Sequence, residues 1–194
     1  MNEHDLFSKL TDLARSTDSS TLGTPTLIAI EGFGGAGKTT LARQLAAVLD
    51  RCVVVHMDDF VNRSLLEESS WETGVFELER VRKERLVPVR NSRRLWHREC
   101  ATQVNEPSEY IEIADLRYLV VEGIAAAHPK LAPYYDLRVW VDIPADEAML
   151  RREERSRTSK EDAYQKYWPL WQSNDRLYER TYRPQHAADF VYYA

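Results

Sequence analysis

At 194 residues, with 43% hydrophobic and 29% charged side chains, the chain is sized for one packed domain and is too rich in core-forming residues for a disordered or fibrous protein. A formal charge of -5 without a long basic run argues against nucleic acid as a main partner, because a phosphate backbone calls for clustered cations. Cys52 and Cys100 are too few for a disulfide framework or a cysteine metal site, no apolar run reaches the roughly 20 residues that span a bilayer, and the acidic start lacks signal-peptide character, so a cytoplasmic protein is expected.

Asp5 to Arg15 carries Leu6, Leu10 and Leu13 at helical spacing, and a polar linker over 16–21 follows. Leu27 to Ile30 reads as a buried strand that runs into Gly32-Phe-Gly-Gly-Ala-Gly-Lys38-Thr39. This fits G-x-x-x-x-G-K-[ST], a turn whose backbone N–H groups cradle phosphates, whose lysine reaches the β- and γ-phosphates and whose hydroxyl meets magnesium. Gly34, Gly35, Ala36, Gly37, Lys38, Thr39 and Thr40 are therefore the candidate ATP-binding residues. Thr39 to Leu49 then places Leu41, Leu45, Val48 and Leu49 on one helical face.

Cys52 to His56 reads as a second buried strand, ending at Met57-Asp58-Asp59-Phe60. Phe76 to Val87 has the pattern of a charged surface helix stopped by Pro88. Tyr118 to Glu122, Leu137 to Asp142 and Phe190 to Tyr193 complete five strands alternating with helices. That rhythm predicts an α/β three-layer sandwich built on a five-stranded parallel sheet with right-handed crossovers. Residues 1–25 would form an N-terminal helix and linker, and 150–165 a small helical lid on a single domain over 1–194.

Parallel sheets bind ligands at the carboxyl ends of their strands, which directs attention to Asp58 and Glu122. Glu122 can hold magnesium with Thr39, or merely cap the next helix. Asp58, if its strand lies beside the strand of the phosphate loop, faces the γ-phosphate and can accept the proton of an attacking hydroxyl. Further on, Arg151, Arg152, Arg155 and Arg157 put four guanidinium groups into seven positions. They can close over a triphosphate and stabilise a transferring phosphoryl group, or pair with Glu153 and Glu154 on a solvated helix.

Gly32-Phe-Gly-Gly-Ala-Gly-Lys-Thr39, Asp58-Asp-Phe60, Val121-Glu-Gly123, Val141-Asp142 and Arg151-Arg152 stand in the order found in uridine kinases. From about residue 26 to 194 the chain resembles the uridine kinase and phosphoribulokinase branch of P-loop kinases. The resemblance implies a P-loop NTPase fold and MgATP-dependent phosphorylation of a small-molecule hydroxyl, most readily that of a uridine- or cytidine-like nucleoside. Under it Asp58 is the base, Lys38, Arg152, Arg155 and Arg157 lie on phosphates, Thr39 and Glu122 flank Mg2+, and Phe60 belongs to the substrate segment beside Asp58. Trp96 and His97 are loose equivalents of the family's base-holding residues. The chain departs from uridine kinases at Val61, where they carry tyrosine, and in a shorter lid, so a sugar or vitamin precursor remains an alternative acceptor. Trp71, Phe76 and Trp96 are either stacking platforms or packing residues. A nucleotide-dependent switch is the contrasting class, although no Asn-Lys-x-Asp guanine-reading segment occurs. No membrane or nucleic-acid partner is expected, and a homo-oligomer is neither indicated nor excluded by the sequence.

Overall fold

The computed structural model describes residues 5–9, 12, 23–68, 70, 71, 74–97, 111–158 and 165–194. Its centre is β1 (Thr26–Gly32), in which all seven residues are buried because helices cover both faces of the sheet. Along β1 the side chains alternate, so Leu27 joins one hydrophobic cluster while Ile28 and Ile30 join the other. Each such fully buried aliphatic side chain contributes about 1.5–3 kcal/mol.

The phosphate loop follows β1 and leads into α1 (Lys38–Val48), whose N-cap Gly37 has φ 93°. Leu41, Leu45 and Leu49 pack against the sheet as expected, but Val48 points outward with 65% of its surface exposed. At 3.6 residues per turn it has rotated past the apolar stripe. Next come β2 (Cys52–His56), β5 (Tyr118–Glu122), β6 (Leu137–Asp142) and β7 (Phe190–Tyr193), and the sheet order is β2-β5-β1-β6-β7 with every pair parallel. These are the five strands read from the sequence. Their order corrects one premise: β5 separates β2 from β1, so Asp58's strand is not beside the strand of the phosphate loop.

Between β2 and β5 the chain forms α2 (Leu78–Val81), a π-helical turn over Arg82–Leu86, and α3 (Val87–Ser92). Pro88 does not stop this helix. The π turn shifts the hydrogen-bond ladder, so the Val87 amide reaches the Arg82 carbonyl, and Arg85 Nη1 donates at 3.2 Å to the Glu84 carbonyl that Pro88 cannot serve. Nor are all of its charges solvated. Arg85 is 7% exposed, with its guanidinium 5.2 Å from the Phe60 ring centre, and Arg80 lies over the same ring at 4.8 Å.

A hairpin absent from the sequence reading, β3 (Leu95–His97) with β4 (Ile111–Ile113), stands outside the main sheet. After β6 come α4 (Ala145–Thr158), α5 (Trp168–Tyr182) and α6 (Pro184–Ala187). Val81, Leu86 and Val89 of the α2–α3 stretch and Tyr178 of α5 cover one face of the sheet, with Leu41 and Leu45 of α1 and Ala148 of α4 on the other, giving three layers. Leu6 of the helical residues 5–9 is fully buried in the α1-side cluster, whereas Leu10, Leu13 and Cys100 lie outside the described residues. Among the described residues no helix is long and apolar enough to cross a membrane.

Candidate active site

The register of three neighbouring strands, β1, β5 and the edge strand β2, builds the site. Ile30 of β1 pairs with Glu122 of β5, and Glu122 pairs with His56 of β2, so the carboxylate stands between the phosphate loop and the chain that carries Asp58. Thr39 Oγ1 donates to Glu122 Oε1 at 2.9 Å, and His56 Nδ1 lies 2.6 Å from the same oxygen. Burial works to raise the Glu122 pKa, but the His56 hydrogen bond and the Lys38 charge prevail and hold it below the ordinary carboxylate value. The reciprocal contact raises His56, against its own burial.

Lys38 is buried, and its Nζ donates at 2.8 Å to the Phe33 carbonyl, across the loop it is expected to share with phosphates. Burial lowers its pKa, opposed by the charges of Glu122, Asp175, Asp58 and Glu31. Asp58 sits in the 3-10 turn Met57–Phe60 that β2 runs into. Much of its surface opens to the cleft, yet the protein around its carboxyl, and second the Glu122 charge, hold its pKa above the usual value. A carboxylate raised in this way is better suited to accept a proton near neutrality.

A cavity of ≈ 310 Å³ gathers Gly34, Gly35, Lys38, Thr39, Asp58, Glu122, Arg152 and Arg155 on one lining. A larger cavity of ≈ 650 Å³ lies behind Trp71 and Phe76, which line both. It holds neither phosphate-loop residues nor Asp58, and its Arg80, Arg82 and Lys83 are paired with Glu77, Glu79 and Glu84, so the chemistry belongs to the smaller one. Among the described residues no group of three His, Cys, Asp or Glu side chains could hold a metal ion by itself. The oxygen donors that do meet, Thr39 Oγ1 and the Glu122 carboxylate, fit Mg2+, a hard cation that takes its remaining oxygens from water and phosphate.

Gly35 adopts φ 93°, and a Cβ there would lie 2.2 Å from the Ala148 carbonyl, so α4 rests directly on the phosphate loop. From α4, Arg152 extends beside Gly34, where a Cβ would lie 3.0 Å from its Nη1, and its guanidinium sits 5.1–5.3 Å from the rings of Trp171 and Trp168. Arg155 is exposed at the cleft, whereas Arg151 pairs with Glu147 at 2.6 Å one turn back. The Arg157 side chain lies outside the described residues.

Several expected contacts are not brought together. Phe60 is fully buried in the core beneath Arg80 and Arg85, because the 3-10 turn directs it opposite to Asp58, and it does not line the cleft. Trp96 is 58% exposed on the β3–β4 hairpin and does not line it either. His97 pairs through its backbone with Ile111 in that hairpin, and its side chain lies outside the described residues. Ala36 is buried in the core, and Ala36, Gly37 and Thr40 do not line the cavity, although Gly37 caps α1. Trp71, by contrast, both packs edge-on to Phe76 at 5.3 Å and walls the cleft.

Asp175 of α5 escaped the sequence reading. It is 7% exposed, accepts a 2.9 Å hydrogen bond from Trp71 Nε1, and lies close to Gly34 and Arg152. Burial raises its pKa, with Trp71, Lys38, Arg152 and the Gly34 amide opposing. It thus joins α5, the phosphate loop and a wall of the cleft. The positions 168, 171 and 175 fall at helical spacing on one face, the one signal in the sequence that could have revealed it.

Comparison with known proteins agrees with this architecture. The family described as AAA domain matches residues 28–185. The chain belongs to that AAA domain family. Over 179 residues it is 24% identical to a uridine kinase of Ureaplasma parvum, covering 82% of this chain and 83% of the relative. A Bacillus stearothermophilus structure named as a possible uridine kinase superposes with a TM-score of 0.64 at 21% identity, over 97% of this chain and 99% of the other. A Silicibacter structure, provisionally named a fructose transport system kinase, gives 0.67 at 21% identity, over 98% of both chains. This AAA domain chain is similar to uridine kinase-like P-loop kinases over most of its length and shares their α/β fold.

Proposed function

We propose that the chain is a cytoplasmic, MgATP-dependent kinase that transfers the γ-phosphoryl group to a hydroxyl of a small molecule. The single observation carrying this reading is that Asp58 lines the same cavity as Lys38, Thr39 and Glu122 although its strand is two places away from β1. Phosphoryl transfer passes through a loose transition state, so the work is positioning and charge stabilisation. Asp58 accepts the proton of the acceptor hydroxyl as the oxygen attacks. Lys38 releases the Phe33 carbonyl to take phosphate oxygens, joined by Arg152 and Arg155 from a lid within 150–165, while Asp175 and Trp171 hold that side of the cleft. Magnesium, held at Thr39 and Glu122, would supply charge neutralisation.

For the acceptor, the relatives named uridine kinase support a nucleoside. The cleft wall supports the second reading, a different hydroxyl metabolite: Val61 stands where an aromatic residue was expected, and neither Phe60 nor Trp96 reaches the cavity. Incubation with MgATP and a panel of nucleosides, sugars and hydroxy acids tests the proposal. Equal amounts of ADP and a phosphate ester, identified by mass and 31P NMR, are expected for one class of acceptor. ADP formation without any ester would refute it.

A further inference from the structure

We infer that Arg63 reads an anionic group on the phosphoryl acceptor, so that the cleft takes a hydroxyl compound bearing a carboxylate or phosphate ester rather than a neutral nucleoside; this rests on the kinase reading above. Two kinds of residue line the cavity. One comprises the groups already committed to phosphate, proton and metal. The other comprises the walls Val61, Leu66, Val75, Ile124 and four aromatic side chains. Outside the committed groups, Arg63 is the single charged side chain among the described lining residues, and the indole N–H groups of Trp71 and Trp171 are already given to Asp175 and to the Leu66 carbonyl. No serine, asparagine, glutamine or tyrosine there offers the paired donor and acceptor that the edge of a pyrimidine requires.

Arg63 is also built to be available. It is exposed, and among the described residues no carboxylate pairs with it. The backbone leading into it is fixed against the 75–77 segment. The Asn62 amide donates to the Val75 carbonyl at 2.8 Å, the Glu77 amide to the Phe60 carbonyl at 2.9 Å, and Val61 bridges Phe76. Within the turn, the Asn62 carboxamide oxygen is occupied by the Ser64 amide and hydroxyl at 3.1 and 2.7 Å, so it does not compete for the guanidinium. An anchored turn that presents a guanidinium five residues beyond Asp58, against apolar walls, recognises a planar or tetrahedral anion by paired N–H donors.

The test compares wild type with Arg63→Gln and Arg63→Lys on matched acceptors: glycerate with glycerol, ribose 5-phosphate with ribose, and uridine, all with saturating MgATP. Wild type is expected to prefer the charged member of a pair, the carboxylate and phosphate arms telling which anion is used. Arg63→Gln should lower kcat/KM for that acceptor by about 10- to 100-fold, mainly through KM, with ATP KM and Tm unchanged and partial recovery in Arg63→Lys. Equal or better use of uridine or of the uncharged members overturns the inference and leaves the kinase reading standing, as does a raised ATP KM in Arg63→Gln. Wild-type transfer to no acceptor, with MgATP bound, overturns both.

Discussion

The two sides of the cleft are built differently. The phosphate side rises from strand ends and the first turn of α1, and its Lys38, Thr39 and Glu122 are already hydrogen-bonded inside the protein. The acceptor side rises from short turns after β2, which carry Asp58 and the exposed Arg63, and from aromatic residues of α5. Strand register cannot change without moving every side chain to the other face, so the first arrangement is tied to the fold. The second can change residue by residue. Under the proposed function, chemistry held by the sheet and specificity held by turns follow from that contrast.

The largest effect is expected where the contrast is sharpest. Lys38→Met removes a buried, preorganised cation and should lower kcat by about 10²–10³-fold, near 3 kcal/mol in barrier, with the fold intact by circular dichroism. A drop no larger than that from an exposed residue would erase the distinction between the two sides.

Rigidity on the phosphate side also carries a cost. Glu31, the residue before the loop, is 2% exposed with neither carboxylate oxygen in a hydrogen bond, and burial pushes its pKa from 4.5 to about 7. The Tyr178 hydroxyl, the Lys38 charge and the Ala127 and Ala125 amides counter this only in part. Between pH 4.5 and 7 the folded chain therefore keeps a proton that the unfolded chain has released, and stability falls as pH rises through that window. Glu31→Gln should remove this loss, giving a gain of about 3 kcal/mol at pH 8 and little at pH 4 in urea unfolding. A gain independent of pH would show that the carboxylate is not the source.

Asp175 joins the two sides and should give the smaller effect of about 1–3 kcal/mol on unfolding, because Asp175→Ala leaves the Trp71 indole N–H buried without its acceptor. Asp175→Asn retains an acceptor for Trp71 but removes the charge beside Arg152, so stability should be restored while kcat stays reduced. Equal recovery of both would confine Asp175 to the wall.

The strands were legible because they are short runs of aliphatic, β-branched and aromatic residues, three of them ending at Gly32, Glu122 or Asp142, and the phosphate loop because its glycines and lysine are fixed by backbone geometry. The insertion of β5 between β2 and β1 was not, since crossover choice is decided by packing between distant segments. The β3–β4 hairpin has only three residues per strand; the paired Leu95 and Ile113 pack on the core while Trp96 and Ile111 are exposed, too few positions for an alternating pattern to show. Asp58 and Glu122 could be found because strand ends at a parallel sheet converge. Phe60 could not be placed correctly because one 3-10 turn sends neighbouring side chains to opposite sides, and Asp175 because its partners Trp71, Gly34 and Arg152 are scattered through the sequence.

The most direct measurement is single-turnover phosphoryl transfer by Asp58→Asn, with MgATP affinity determined on the same protein. A carboxylate that takes the acceptor proton beside the phosphate loop predicts transfer slowed by about 10²–10⁴-fold with ATP bound as tightly as in wild type. Transfer at the wild-type rate would contradict the account, for the group placed across the cleft from Lys38 would then have no part in the reaction.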